Sequence, residues 1–171
     1  MSNTTFSFGE KTQEYDFAVF NEREVRAAAG ILFLLGFGAW MYAATTGDFQ
    51  PMRGFGMLFM LDMFLRLFVG HRFSPSMALG RLVTRNQVPE WVDAEPKKTA
   101  WYIGFGMVVV ACFTLGWLAM TGPIPLALCG ICLSFLFFES AFGFCAGCWL
   151  HMRFSKTPPR LCSGGVCEVK H

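Results

Sequence analysis

Two cysteine pairs lie close together near the carboxyl end of the chain. Cys145 and Cys148 are separated by two residues, and Cys162 and Cys167 are separated by four. A thiolate of one pair can attack a disulfide of another and form a mixed disulfide, which requires neighbouring pairs of this kind. Thiolates are also preferred ligands of zinc and cuprous ions. The two pairs therefore predict thiol or soft-metal chemistry at this end of the chain.

The thiol interpretation is a redox or sulfur relay in which all four cysteines are catalytic. Cys145 and Cys148 would exchange electrons or a persulfide with the tail cysteines, or with a cytoplasmic thiol or sulfur-transfer protein. Residues 149–161 join the two pairs, and an extended segment of that length reaches some tens of ångströms. Because the cost of closing a loop grows only with the logarithm of its length, the tail can fold back onto the first pair.

The metal interpretation uses the same residues as ligands. The four cysteines, together with His151, would bind zinc or copper. A third interpretation is a non-enzymatic subunit or scaffold of a membrane complex. The spacing of the cysteines is compatible with all three, so the sequence leaves the choice open.

The first pair is predicted to lie at the end of a membrane helix. An apolar run that begins after Pro123 continues to about His151 and includes Cys145 and Cys148. Residues three apart on a helix have Cβ atoms about 5–6 Å apart, whereas a disulfide needs about 3.5–4.5 Å. The carboxyl end of a helix also disfavours a thiolate, because the helix dipole is negative there. A disulfide within this pair would therefore require the helical turn to deform.

The rest of the chain predicts the elements that position these cysteines. Its 171 residues are 54% hydrophobic and only 15% charged, well below the roughly 25% charged residues of soluble proteins. Four apolar runs approach the roughly 20 residues that span the hydrocarbon core of a bilayer. The first three cover 25–45, 52–70 and 100–120, and the fourth begins after Pro123 and Pro125 and reaches about His151. The sequence therefore predicts an all-α integral membrane protein, a four-helix bundle surrounded by lipid.

The distribution of lysine and arginine predicts the orientation of the bundle. The amino-terminal segment, the central loop and the tail carry nearly all of these residues, whereas the two opposite turns offer only Arg53. The positive-inside rule places both termini and the central loop in the cytoplasm. The net charge is only +2 without a basic stripe, so no nucleic-acid partner is expected. The predicted segments are a polar cytoplasmic 1–24, a transmembrane 25–152 and a cytoplasmic tail 153–171.

The central cytoplasmic loop is predicted to contain a helix of its own. Ser74 is a favourable N-cap, and Pro75 suits the first helical position. Apolar residues alternate with Arg81 and Arg85 after this start. The pattern predicts a short interfacial helix on the membrane surface.

Three ionisable residues lie within the apolar runs. Asp62 and Arg66 are four residues apart, so they share one helix face and are close enough to pair. Charges at membrane depth usually face the interior of a bundle, which predicts either a proton or anion site or a structural ion pair. Glu139 has no charged neighbour on its own helix. It would meet Arg66 across the bundle or stay protonated, because desolvation raises the pKa of a carboxyl group.

Other polar residues in or beside the runs are interpreted structurally. His71 and Arg72 stand at a helix mouth, where they would anchor the protein at the interface. Cys112, Cys129 and Cys132 are expected to be small apolar packing residues, because free cysteine is readily buried.

Four stretches of the sequence resemble a known family. They are "VFNEREVRAAAG", "LDMFLRLFVGHRFSP", "AEPKKTAWYIG" and "FFESAFGFCAGCWLH". Their order and spacing are similar to those of the bacterial membrane family called domain of unknown function 4395, from about Phe17 to His151. The resemblance implies a small four-helix protein of the bacterial inner membrane and implies no activity. The family pattern would mark Arg26, Asp62, Arg66, Ser74, Pro75, Pro96, Gly143, Cys145, Gly147 and Cys148.

Overall fold

Helices make up most of the structure. The computed structural model describes Gly9, residues 16–144, Leu150 and Arg153. Within these residues the α-helices are α1 (Glu22–Thr46), α2 (Gln50–Phe64), α3 (Pro75–Thr84), α4 (Ala94–Cys112) and α5 (Pro123–Phe142). π-helical segments continue α2 over Leu65–Val69 and α4 over Phe113–Trp117, and a 3₁₀ turn covers His71–Phe73.

Three helices in the described part of the chain are long and apolar enough to cross a membrane. They are α1, α4 with its π-helical segment, and α5. The second predicted run forms the shorter α2 and continues as the π-helical segment 65–69. Large apolar side chains such as Leu34, Met57 and Trp117 are exposed on the outer surfaces of these elements. Such a surface is typical of helices that contact lipid tails.

Local signals in the sequence fix the helix ends. Asn21 caps α1 by accepting a hydrogen bond from the Arg23 backbone N–H, and Gly47, in the left-handed conformation, ends it. The predicted start of α3 is confirmed: the Ser74 hydroxyl accepts a hydrogen bond from the Met77 backbone N–H, and Pro75 is the first helical residue. Each cap satisfies a backbone group that the helix itself leaves without a partner.

A two-stranded ribbon at one end of the helices was not predicted. Strands β1 (Val19–Asn21) and β2 (Trp91–Asp93) pair antiparallel, with Phe20 opposite Val92. The Asn21 side chain also accepts a hydrogen bond from the Glu90 backbone N–H at 3.1 Å. Strands of three residues are too short to show an alternating pattern, so the all-α prediction missed them. The ribbon ties the start of α1 to the start of α4.

The buried apolar residues form three clusters, which the chain order places successively along the bundle. The first joins Phe20 of the ribbon to Met77 of α3 and Trp101 of α4. The second lies between α1, α2, α4 and α5, and the third lies near the turns 47–49 and 118–122. The helix contacts place α1 against α2, α3 and α5, and α2 against α4. The ribbon, α3 and the carboxyl end of α5 therefore share one end of the structure.

Helix α5 is shorter than the sequence predicted. Helix α5 ends at Phe142, and Gly143 follows in the left-handed conformation with a φ of 65°. The Gly143 backbone N–H donates to the Glu139 carbonyl at 3.1 Å, and the Phe144 N–H donates to the Phe138 carbonyl at 3.2 Å. These bonds close the helix in the way glycine commonly does. The expectation that α5 continues through Cys145 and Cys148 is therefore wrong.

Candidate functional site

A buried network of polar side chains joins the end of α2 to the start of α3. Both oxygens of Asp62 accept hydrogen bonds: Oδ1 from the Ser74 hydroxyl at 2.6 Å and the Ser76 backbone N–H at 3.0 Å, and Oδ2 from the Ser76 hydroxyl at 2.7 Å. The side chain of Asp62 is only 3% exposed. These three hydrogen bonds and an ion pair with Arg66 occupy four acceptor positions, so this carboxylate is fully satisfied away from water.

Arg66 completes this network from the π-helical segment that follows α2. Its Nη2 lies 3.1 Å from Asp62 Oδ2 and donates to the Ser76 hydroxyl, while Nε donates to the Ser74 hydroxyl at 3.3 Å. The guanidinium carbon lies 5.0 Å from the centre of the Trp101 ring, a cation–π distance. The network thus holds a buried arginine and aspartate as a pair, in the i, i+4 arrangement that the sequence predicts.

A second buried group of charges joins three other helices. Lys97 Nζ lies 2.7 Å from Glu22 Oε2 and 3.6 Å from Glu139 Oε1. Lys97 comes from the start of α4, Glu22 from the start of α1 and Glu139 from the last turn of α5. Glu139 therefore forms its ion pair with Lys97, and Arg66 is a more distant electrostatic neighbour of that carboxylate. We call Glu22, Lys97 and Glu139 the charged triad.

Arg26 holds the carboxyl end of α5. Its Nε donates to the Ser140 carbonyl at 3.2 Å, and its Nη2 donates to the Ala141 carbonyl at 2.9 Å. A Cβ atom at Gly143 would lie only 3.5 Å from Arg26 Nη1, so the guanidinium also packs against the glycine that ends the helix. A cation at this position compensates the partial negative charge of the last carbonyls. The last turn of α5 is thereby fixed to α1.

His71 is not an interfacial anchor as the sequence suggested. Its side chain is 3% exposed and makes an edge-to-face contact with Phe20, with the ring centres 5.1 Å apart. The left-handed Gly70 turns the chain here, and the 3₁₀ turn places His71 beneath the ribbon. Arg72, the next residue, is exposed.

Three cysteines line one apolar cavity on the far side of the bundle from the charged triad. Cys112 of α4 and Cys129 and Cys132 of α5 border a cavity of about 30 Å³, which Trp40 and Phe55 also line. Almost no polar atom faces this cavity, so nothing there stabilises a thiolate. The geometry agrees with a packing role for these three cysteines.

The predicted thiol site lies outside the described residues. The residues of this predicted site that the structure does not describe are Cys145, Cys148, His151, Cys162 and Cys167. Among the residues that the structure describes, no group of three or more His, Cys, Asp or Glu side chains is placed to hold a metal ion. What the structure describes is the support: Gly143, two residues before Cys145 in the sequence, lies at the end of the bundle that carries the charged triad.

Reasoning from the residues alone assigned no role to four residues of this support. Ser76 directly follows Ser74 and Pro75, and the sequence analysis gave a role only to those two residues. Glu22, Arg26 and Lys97 resembled ordinary polar residues that flank a membrane helix. The one available signal was the resemblance, whose pattern marks Arg26.

Comparison with known protein families gives a match over most of the chain. A sequence model of the protein family described as domain of unknown function (DUF4395) matches residues 20–156. The matched range contains the buried network, the charged triad and the Cys145–Cys148 pair. The resemblance found in the motifs is therefore confirmed. No curated protein and no solved structure matches the chain.

Proposed function

Since the chain belongs to the family described as domain of unknown function (DUF4395), we propose that its matched region is a four-helix membrane domain that presents a thiol pair for disulfide or persulfide exchange. The observation that carries this proposal is the end of α5. Gly143 closes the helix, and Arg26 fixes its last carbonyls to α1. The pair Cys145 and Cys148 follows directly on a fixed point of the bundle.

The early end of α5 removes the main objection to this chemistry. A continuous α5 would hold the Cβ atoms of Cys145 and Cys148 too far apart for a disulfide. Because α5 ends at Phe142 and Gly143 takes the left-handed conformation, the objection raised by a continuous α5 does not apply. Arg26 also places a positive charge beside the helix end, which offsets the dipole that would disfavour a thiolate.

The proposed reaction is an ordinary thiol–disulfide exchange. A thiolate of the Cys145–Cys148 pair attacks a disulfide of the partner, breaks its S–S bond and releases one partner thiol. The second cysteine then attacks the mixed disulfide, which leaves a disulfide in this protein and a fully reduced partner. Two electrons and two protons pass to the partner. Cys162 and Cys167 form the first such partner, and a cytoplasmic thiol or sulfur-transfer protein is the next.

We place the domain in the bacterial inner membrane with both termini in the cytoplasm. The start of α1, the ribbon, α3 and the end of α5 share one end of the structure, and the lysines and arginines of the chain concentrate in the segments at that end. In this arrangement α2 with its π-helical segment is the fourth span, α3 lies in the interface, and 153–171 is the cytoplasmic tail.

The arrangement predicts which positions share a compartment. Alkaline phosphatase and green fluorescent protein fusions after residue 48 should report the external side, and fusions after residue 171 should report the cytoplasm. The reason is the excess of Lys and Arg at the ribbon end. Reports of the same side from both positions would contradict the four-span arrangement.

Substitution of one cysteine should trap the exchange. In Cys148→Ser, the second step is blocked, so mild oxidation should leave a mixed disulfide between Cys145 and Cys162 or Cys167. Mass spectrometry of non-reduced peptides identifies the linkage. Cys132→Ser removes a thiol of the apolar cavity and is the matched control, in which no such linkage should accumulate.

Metal analysis of the same variants separates the relay from a metal site. The relay predicts that the purified, reduced protein holds no stoichiometric zinc or copper. The same metal analysis is made on Cys162→Ser and Cys167→Ser. If these variants and Cys148→Ser all lowered the content of a bound metal, and no mixed disulfide formed, the thiol relay would be wrong and a soft-metal site would replace it.

A further inference from the structure

Helices α1, α2, α4 and α5 all contribute walls to the apolar cavity that the three cysteines line. Gly36 comes from α1, Gly56 from α2, Cys112 from α4 and Cys132 from α5. The volume of about 30 Å³ is close to the volume that one water molecule occupies in the liquid. The cavity therefore has room for a molecule of a few heavy atoms and is too small for an acyl chain.

Two contacts fix the walls of this cavity. A Cβ atom at Gly36 would lie 2.6 Å from the Phe55 ring and 2.7 Å from Leu133, so glycine is needed where α2 and α5 approach α1. Trp40 Nε1 donates to the Leu126 carbonyl at 2.8 Å, which also joins α1 to α5. Because the walls are fixed, the cavity does not close by a small shift of one helix, and the atoms that line it lose dispersion contacts.

The lining of the cavity favours an apolar occupant over water. A buried water needs about two to four polar partners, and almost no polar atom faces this cavity. The Trp40 N–H is already bound to a carbonyl of α5, and the thiols of Cys112, Cys129 and Cys132 are only weak donors and acceptors. These sulfur atoms and the Met52 thioether are polarisable, so they make favourable dispersion contacts with an uncharged molecule.

From this size, rigidity and chemistry we propose that the cavity binds one small, uncharged, apolar molecule from the lipid phase. A dissolved diatomic gas, or another molecule of about two or three heavy atoms, is the class that fits a cavity of this volume. Such a molecule restores the dispersion contacts that the lining atoms lack. The lipid source rests on the membrane arrangement proposed above. The inference goes beyond thiol exchange and makes the three cysteines the polarisable walls of a binding site.

Xenon is the probe, because it is uncharged, apolar and polarisable and binds dry apolar cavities. The full chain is labelled with carbon-13 at the methionine methyl groups, placed in bilayer discs and observed by NMR as the xenon pressure rises. Met52 is buried in the cavity wall, whereas Met57 is exposed on the outer surface of α2. The Met52 methyl shift should saturate, because one xenon atom fills the site, while the Met57 shift should rise linearly with the xenon dissolved in the lipid. A linear shift of Met52 would overturn the proposal.

Two glycines of α2 provide a matched pair of variants. A Cβ atom at Gly56 would lie 3.2 Å from Cys112 Sγ at the cavity wall, whereas a Cβ atom at Gly54 would meet nothing within 4 Å. Gly56→Ala should raise the xenon pressure at half-saturation of the Met52 shift by about tenfold or more, because overpacking is costly. Gly54→Ala should leave this pressure unchanged.

Equal half-saturation pressures in Gly56→Ala and the wild type would contradict the proposal. Should Gly56→Ala fail to fold, the comparison of Met52 with Met57 in the wild type still decides the case, since it needs no variant. Neither measurement involves the Cys145–Cys148 pair, so failure here leaves the thiol proposal standing, and failure of disulfide trapping leaves this one.

Discussion

Replacing Lys97 with methionine is expected to lower the free energy of unfolding by about 3–5 kcal/mol. Lys97 is the only cation of the charged triad, and its ammonium lies within ion-pair distance of both Glu22 and Glu139. A methionine side chain is about as long as the lysine side chain and is apolar. It carries no charge, so it leaves the Glu22 and Glu139 carboxylates without the ammonium that they pair with. The loss can be measured by circular dichroism as the protein unfolds in mixed micelles of a mild detergent and dodecyl sulfate.

Two further variants identify the origin of the loss. Lys98→Met makes the same change at the next residue, whose side chain is exposed, and should cost no more than about 0.5 kcal/mol. Adding Glu22→Gln to Lys97→Met should recover part of the stability, because it removes a carboxylate that the first change left without its cation. A loss in Lys98→Met as large as that in Lys97→Met would show that the ammonium is not held in a specific buried pair.

The charged triad shows why part of this site could not be read from the sequence. Glu22, Lys97 and Glu139 are separated by more than forty residues at each step along the chain. Each lies near the end of an apolar run, where a charged residue is usually an interfacial flank. Only the packing of α1, α4 and α5 brings the three together. Asp62 and Arg66, in contrast, were predictable as a pair, because an i, i+4 spacing is local.

The same distinction holds for the fold. Hydropathy located the long helices, and the Ser74–Pro75 signal located α3, since both depend on residues close in sequence. The sequence did not predict the end of α5, because the apolar run continues beyond Phe142. Hydropathy does not detect a glycine that ends a helix by taking the left-handed conformation. Gly143 is itself a helix-stop signal, because glycine commonly ends a helix in the left-handed conformation. The ribbon is too short to have a pattern.

A second large loss of stability is expected for Asp62→Asn. This change keeps the shape of the side chain and removes its charge, so Arg66 becomes a buried cation without a counterion. The expected loss is about 3–5 kcal/mol, measured by the same unfolding assay. Asp48→Asn is the matched control, because Asp48 is exposed and its side-chain oxygen accepts a backbone hydrogen bond from Gln50 that asparagine can also accept.

The double variant Asp62→Asn with Arg66→Gln completes the cycle and addresses the role of the pair. If the two charges interact, the double variant recovers part of the loss, and the two single losses are not additive. Strictly additive losses would contradict the pairing at 3.1 Å.

A stable double variant can then be combined with Cys148→Ser. If the mixed disulfide still forms at the wild-type rate, the pair serves only to hold α3 against α2. If the protein is folded but the disulfide forms more slowly, the buried charges take part in the exchange. Arg66 and the charged triad lie at the same end of the bundle as Gly143, which precedes the thiol pair in the sequence.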